Sequence, residues 1–312
     1  MKTTDYLNDW LGLRLGMIER STFEQETIYI TRHLVPYFSV ENKDLVDLKP
    51  IDIQEYIRYK TLGGRLDGKS GGLSSSSVRK HMSILKMALN DAVLYGYIPS
   101  NPALNTKQKR RKNNTAKHMV LMTVEQCYEV LDAVKGSPYY LPTFLALYFG
   151  LRRSEVVGLR WSEIDLEKGV LNINHVVVKE TTIIERDGAK SDSSIRSFEL
   201  TDEMIRFLSR EKSSRSILSD YVCTQSINGA RMRPDSLTRG FQRRLKARGL
   251  PMMCFHDLRR SSASMLFDMG MSIVDVQHYL GHADIETTTN IYLHYQKSRC
   301  KLTSQKMDCL FK

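Results

Sequence analysis

From Thr106 to His118 the sequence carries Lys107, Lys109, Arg110, Arg111, Lys112 and Lys117 without one acidic residue. Like charges this close repel, and a compact unit cannot bury such a run at its centre. Asn113 and Asn114 further discourage regular structure. The stretch therefore divides the 312 residues into a part at 1–105, a basic linker at 106–118 and a part at 119–312. The linker is either a solvated charge run or a strap that lies along a phosphate backbone.

The two parts differ in pattern. In residues 22–38 Phe23, Ile28, Ile30, Leu34 and Tyr37 recur at helical spacing, and Pro36 marks a helix end. A short helix is expected over 52–60 after Pro50, then a Gly/Ser-rich loop over 63–77. Val78, Met82, Leu85, Leu89 and Val93 line one face of a longer helix over 78–95. Gly96 to Pro102 is a run of turn signals, and no strand-like alternation occurs in this half. Beyond the linker, Thr123 and Gln126 fit a capping box, and helices are expected to Ala133 and over 141–149. VLNINHVVV, TTIIER, Asp187-Gly188 and SIRSFEL then read as a small antiparallel sheet with a hairpin, before helical patterns resume at Asp202. The fold class expected is mainly α with a small antiparallel sheet: an all-helical first domain and an α+β second one.

With 41% hydrophobic residues the chain can bury a core. Its apolar stretches fall far short of the ~18 residues of a membrane span. The opening MKTTDYLNDW has no basic-then-apolar signal pattern. Five scattered cysteines without a CxxC pair argue against a disulfide framework and a zinc site. A soluble, cytoplasmic protein of a reducing compartment is expected, with no membrane partner. Its 46 Lys+Arg against 35 Asp+Glu leave a charge of +11, which suits a polyanion, most simply nucleic acid.

Three segments carry candidate chemistry. In GLRRSEVVGLRW, Arg152 is an exposed helix-end charge or a held anion receptor, with Glu155 three residues on as a possible orienting partner. In FHDLRR, His256 and Arg259 share a helix face and can reach one anion together, although such a pair also arises by chance. In LGHADIETTTNIY a glycine turn presents His282, and Tyr292 follows ten residues later. A single helical tyrosine is more often core or surface than nucleophile.

Taken in order, these segments resemble the signature of the tyrosine recombinases, the phage integrase family of site-specific DNA recombinases. SSSVRKHMSILKMALNDAVLYGYIPSNPA in the front half is similar to the family's helical, SAM-like core-binding domain. The resemblance implies that Arg152 and Arg259 hold the scissile phosphate and that Tyr292 attacks it, giving a 3′-phosphotyrosine and a free 5′-hydroxyl. By the same resemblance His256 is the base or hydrogen-bonding partner, and His282 donates to a phosphate oxygen. The family's β-hairpin lysine, the acid for the leaving 5′-oxygen, falls on Lys190, with Lys179 a competitor; Glu199 stands where such hairpins commonly carry proline. The family's spacing and the Thr-Thr-Thr-Asn-Ile lead-in favour Tyr292 over Tyr295, while Arg153, Arg160 and Arg260 are expected to make structural or backbone contacts and His278 and His294 to lie on helix surfaces. No metal, ATP or cofactor is implied.

The implied partner is double-stranded DNA bearing a specific core site, gripped by two domains and the linker. Phosphate contacts are expected from Arg79, Lys80, Lys86, Lys107, Lys109, Arg110, Arg111, Lys112, Lys117, Arg239, Arg243 and Arg244, with Lys246 in the last patch. A homo-tetramer on DNA, monomeric or dimeric when free, follows from the same resemblance, as do Holliday-junction exchange and accessory bending or directionality proteins. Leu310 and Phe311 of the tail would dock on a partner subunit or on the chain's own surface. By the resemblance the sequence is expected to open directly on the core-binding domain, the arm-binding domain of many relatives being either lacking or truncated. A type IB topoisomerase and a catalytically silent DNA-binding protein are the alternatives.

Overall fold

The computed structural model describes residues 1–108, 120–179, 183–187, 196–214, 219–225 and 229–310, with side chains left aside at 175–179, 183–187, 298 and 300–310. Lys109, Arg110, Arg111, Lys112, Lys117, Lys190 and Phe311 lie outside the described residues, as does the Leu310 side chain. The chain forms two compact units, Met1–Asn114 and Thr115–Lys312.

Among the described residues the named elements of the first unit are all helices. It comprises α1 (Thr3–Leu13), α2 (Arg20–Tyr29), a π-helical turn (Ile30–Leu34), α3 (Val35–Phe38), α4 (Pro50–Leu62) and α5 (Ser75–Leu94). Ser74 caps α5 by accepting from the Ser77 amide at 3.1 Å, so the helix starts three residues before the expected Val78. Val78, Met82, Leu85 and Leu89 are buried, as their spacing requires. Tyr6 donates to the Ala88 carbonyl at 2.6 Å and the Trp10 indole to Asp91 at 2.6 Å, tying α1 to α5. Pro36 does not end a helix as expected. It sits in the first turn of α3, where the helix entered through the π turn has no need of its missing amide.

In the second unit α6 (Val124–Val134), α7 (Tyr140–Tyr148) and α8 (Arg153–Gly158) precede the strands β1 (Ile164–Asp165), β2 (Val170–Ile173), β3 (His175–Lys179), β4 (Ile183–Asp187) and β5 (Arg196–Glu199). The helices α9 (Asp202–Ser213), α10 (Pro234–Ala247), α11 (Phe255–Asp268), α12 (Ile273–Leu280) and α13 (Ile285–Leu310) follow. The capping box holds: Thr123 accepts from Gln126 at 3.3 Å and its amide donates back at 3.0 Å. The apolar run VLNINHVVV, which reads as one strand, breaks at Asn174. β2 lies in a three-stranded antiparallel sheet ordered β1-β2-β5, while β3 pairs with β4 in a separate ribbon. In that ribbon the pairing runs from His175 opposite Asp187 to Lys179 opposite Ile183.

In β5, Arg196 and Phe198 face inward and Ser197 and Glu199 outward, the period-2 alternation of a sheet with one covered face. The main core of the unit includes Leu145, Phe149, Val156, Leu171, Phe241 and Leu258. A smaller cluster of Ala263, Phe267, Val276, Leu280, Ile291 and Tyr295 joins α11, α12 and α13. Among the described residues no helix is long and apolar enough to cross a membrane.

Leu85 is fully buried on α5. Leu85→Ala is expected to destabilise the first unit by about 3 kcal/mol, read from its denaturant unfolding transition.

Candidate active site

Two glycine turns shape the site. At Gly150, after α7, φ is +61°, and a Cβ there would lie 2.2 Å from Leu280 Cδ2. At Gly281, after α12, φ is 66° and ψ 52°, the left-handed helix cap. Both turn their carbonyls inward: Gly150 accepts from Arg259 Nη1 at 2.7 Å and Gly281 from Arg152 Nη2 at 2.5 Å. Arg259 Nη2 donates to the Leu280 carbonyl at 2.6 Å, so this buried arginine clasps the two turns together.

Glu155 lies beneath them, 1% exposed. Arg152, the residue preceding α8, donates to Glu155 from its backbone amide at 2.8 Å and from Nη1 at 2.6 Å. Glu155 is thus the orienting partner its spacing suggested. Arg196 of β5 donates to both carboxylate oxygens, at 3.2 and 2.8 Å, and Arg259 Nη1 approaches to 3.9 Å. Burial pushes the Glu155 carboxyl up; the hydrogen bond and charge of Arg196, then the charges of Arg152 and Arg259, overcome this and hold it at about 2. Three guanidinium groups on one carboxylate leave two positive charges, with Arg152 still partly exposed. Burial, followed by the Arg152 charge, pushes the Arg259 guanidinium down, so an arriving anion would relieve an electrostatic deficit already present.

The two histidines occupy different settings. His282 is buried, with Nε2 accepting from Arg259 Nε at 3.2 Å and Nδ1 2.8 Å from the buried Thr288 hydroxyl. Accepting on Nε2 makes this imidazole the neutral Nδ1–H tautomer, donating to Thr288. Burial, then the Arg259 and Arg152 charges, lowers its pKa to about 3. The expected donation from His282 to a phosphate differs from this geometry, since both ring nitrogens serve the protein. His256, at the start of α11, is exposed and has no hydrogen-bond partner among the described residues. Desolvation by the surrounding protein wall, then the Arg260 and Arg259 charges, holds it below its usual range. His256 and Arg259 are thus neighbours on α11, but the first opens to solvent and the second turns into the protein.

The two tyrosines also separate. The Tyr295 ring is buried, and its hydroxyl donates to Asp268 at 2.8 Å and accepts from Arg299 at 2.6 Å. Tyr292 is half-buried, edge-on to Phe267 at 5.0 Å, and its hydroxyl accepts from Gln296 at 2.8 Å. The structure gathers Arg152, Arg259 and His282 into one hydrogen-bonded group and leaves the Tyr292 hydroxyl on its own helix.

Arg153 donates to Thr238, Arg160 lies over the Tyr221 ring and Arg260 pairs with Asp257, all structural contacts. His278 is exposed and His294 half-buried. Arg239, Arg243 and Arg244 are exposed on α10; on α5 Lys80 is exposed, while Arg79 and Lys86 are half-buried. Lys107 lies in the first unit, where its amide donates to Gln54 Oε1 at 2.9 Å. Arg196 was missed by sequence reasoning, although strand alternation with the apolar Phe198 pointed it inward. Among the described residues no group of His, Cys, Asp and Glu is placed to hold a metal ion.

Residues 120–299 match the phage integrase family, and residues 4–60 match the phage integrase N-terminal SAM-like domain. The chain belongs to the phage integrase family. It is 27% identical to a tyrosine recombinase XerC-like protein of Caldanaerobacter subterraneus subsp. tengcongensis, over 82% of this chain and 71% of that one. It is 25% identical to the ICEBs1 integrase of Bacillus subtilis, over 92% and 77%. The fold matches the Tn1549 transposon integrase solved with a circular intermediate DNA at a TM-score of 0.74 and 20% identity, over 98% of this chain and 99% of that one. A lambda integrase dimer bound to a COC′ core site gives 0.67 at 21% identity, over 93% and 95%. Phage integrases of the tyrosine recombinase type cleave and rejoin DNA strands in site-specific recombination, and this chain is an enzyme of that kind.

Two outcomes follow from the geometry. Gly150→Ala, which forces a Cβ into Leu280 at a left-handed backbone position, is expected to lower stability by about 2 kcal/mol or more in thermal unfolding. His282 takes its proton near pH 6.5 when unfolded but only near 3 when folded. Its contribution is therefore complete above 6.5 and declines as pH falls through 6.5 towards 3, at up to ~1.4 kcal/mol per pH unit. His282→Asn is expected to flatten that acid limb in melting curves recorded across this window.

Proposed function

We propose that Arg152 and Arg259 hold the two non-bridging oxygens of a scissile phosphodiester and stabilise its pentavalent transition state. The Tyr292 oxygen attacks phosphorus, the P–O5′ bond breaks, and a 3′-phosphotyrosine and a 5′-hydroxyl form. The phenolic proton passes to His256, whose imidazole is exposed and kept neutral, and Lys190 protonates the departing 5′-oxygen. The attack requires Tyr292 to leave its Gln296 contact. His282 acts through Arg259: its fixed acceptor nitrogen orients the guanidinium. The reverse reaction, by the 5′-hydroxyl of another strand, reseals DNA without ATP because the phosphotyrosine conserves the phosphodiester energy.

The observation that carries this reading is the pair of arginines at Gly150 and Gly281, held together with Arg196 on one buried carboxylate, so that two of the three positive charges stay uncompensated. Residues 1–105 serve as the core-binding domain, 106–118 as the linker and 119–312 as the catalytic domain. Arg79, Lys80 and Lys86, the linker cations, and Arg239, Arg243 and Arg244 contact phosphates, so binding weakens steeply with salt. Lambda integrase has been solved as a tetramer on a Holliday junction; this chain assembles likewise on paired core sites and works on DNA in the cytoplasm.

The test is a nicked suicide duplex, built on the sequence that the protein captures from a genomic fragment pool. A covalent adduct mapped to Tyr292 by peptide mass spectrometry is expected, absent in Tyr292→Phe, with gel-shift affinity within about threefold. Tyr295→Phe should keep the adduct and lose about 1 kcal/mol of stability with its Asp268 bond. An adduct at Tyr295, or none with tight binding, would overturn the assignment.

A further inference from the structure

Glu155 sets a problem that the proposed reaction must solve. A carboxylate 2.6 Å from Arg152 offsets the charge that Arg152 is meant to offer the phosphate. If Arg152 and Arg259 were its only partners, the group would carry one positive charge. Arg196 changes that balance. It comes from a different element, β5, is only 7% exposed, and places both terminal nitrogens on both oxygens of Glu155. Its guanidinium also lies over the Phe198 ring at 5.5 Å, and its strand is fixed by pairing with β2, Arg196 opposite Ile173. A two-pronged contact on a rigid strand is a permanent partner, whereas Arg152 spans from Glu155 to the Gly281 carbonyl with part of its surface open.

We infer that Arg196 is a positioning residue for strand cleavage: it occupies the charge of Glu155, so that Glu155 can orient Arg152 without neutralising it for the phosphate. Glu155 then acts on Arg152 chiefly through geometry. A neutral acceptor there would orient Arg152 less firmly, and a carboxylate without Arg196 would orient it but offset its charge. The inference rests on the proposed function, since it assigns Arg196 to the same phosphate site.

The experiment measures single-turnover adduct formation on the suicide duplex at saturating protein, with DNA affinity and thermal melting recorded for each variant. R196Q is expected to form adduct about 10²-fold more slowly at near-normal affinity. R196K, which keeps the charge, should stay within about tenfold of wild type. R196Q/E155Q removes the carboxylate together with its partner. It should recover at least tenfold over R196Q, a restoration that loss of a merely structural contact would not give. R196Q cleaving at the wild-type rate, or a double variant no faster than R196Q, overturns the inference. Should R196Q not fold, the double variant decides, because it removes the carboxylate together with its strand partner and leaves Arg259 its Gly150 and Leu280 carbonyls: a rate within about tenfold of wild type supports the inference, and a loss of 10²-fold defeats it. Wild-type protein that forms no adduct at Tyr292 would instead remove the proposed function, and this inference with it.

Discussion

Glu155 is a carboxylate shut away from water and surrounded by arginines, and the geometry of the catalytic unit is built around it. A buried anion without partners would be prohibitive; one with two full ion pairs and a third cation nearby is a fixed centre of attraction. Each arginine comes from a different part of the chain: the residue before α8, the strand β5 and the helix α11. The carboxylate therefore sets the relative position of three segments at once. Burial first, and then the positive charge of the neighbouring arginines, keeps both histidines neutral.

The second device is backbone. Two of the three cations in the cluster complete their bonding on carbonyls at helix ends, where the last turn leaves acceptors unused. The helices α7 and α12 thus end at the arginine cluster, and carbonyls at or just past their ends hold Arg152 and Arg259. Tyr292 stands outside this network. Its hydroxyl rests on Gln296, one turn further along the same helix, while the neighbouring Tyr295 is committed to Asp268 and Arg299.

Much of this was legible in the sequence because it depends on local spacing. The capping box at Thr123, the apolar face of α5 and the Arg152–Glu155 pair are separated by three or four residues, and helical geometry brings them together. What was not legible depends on long-range pairing. Asn174 splits an apolar run into strands of two sheets because β2 finds β5, twenty-five residues away, as its neighbour. Arg196 looked like an ordinary strand residue, as its partner Glu155 lies 41 residues earlier. His282 could be named from its glycine turn, but its role as an acceptor for Arg259 required knowing what fills the space beside Thr288. Pro36 misled because a proline normally stops a helix, and the preceding π turn allows one to pass.

The bonds from Arg259 to the carbonyls of Gly150 and Leu280 have a further consequence. A carbonyl is supplied by every amino acid, so these contacts specify no side chain at all; they specify a path of the main chain. Drift in the surrounding sequence can therefore alter shape, volume and polarity around the arginine without touching its acceptors, provided that the two left-handed turns survive. The site's information is carried partly in torsion angles, and a search for it by residue identity alone would see only the glycines.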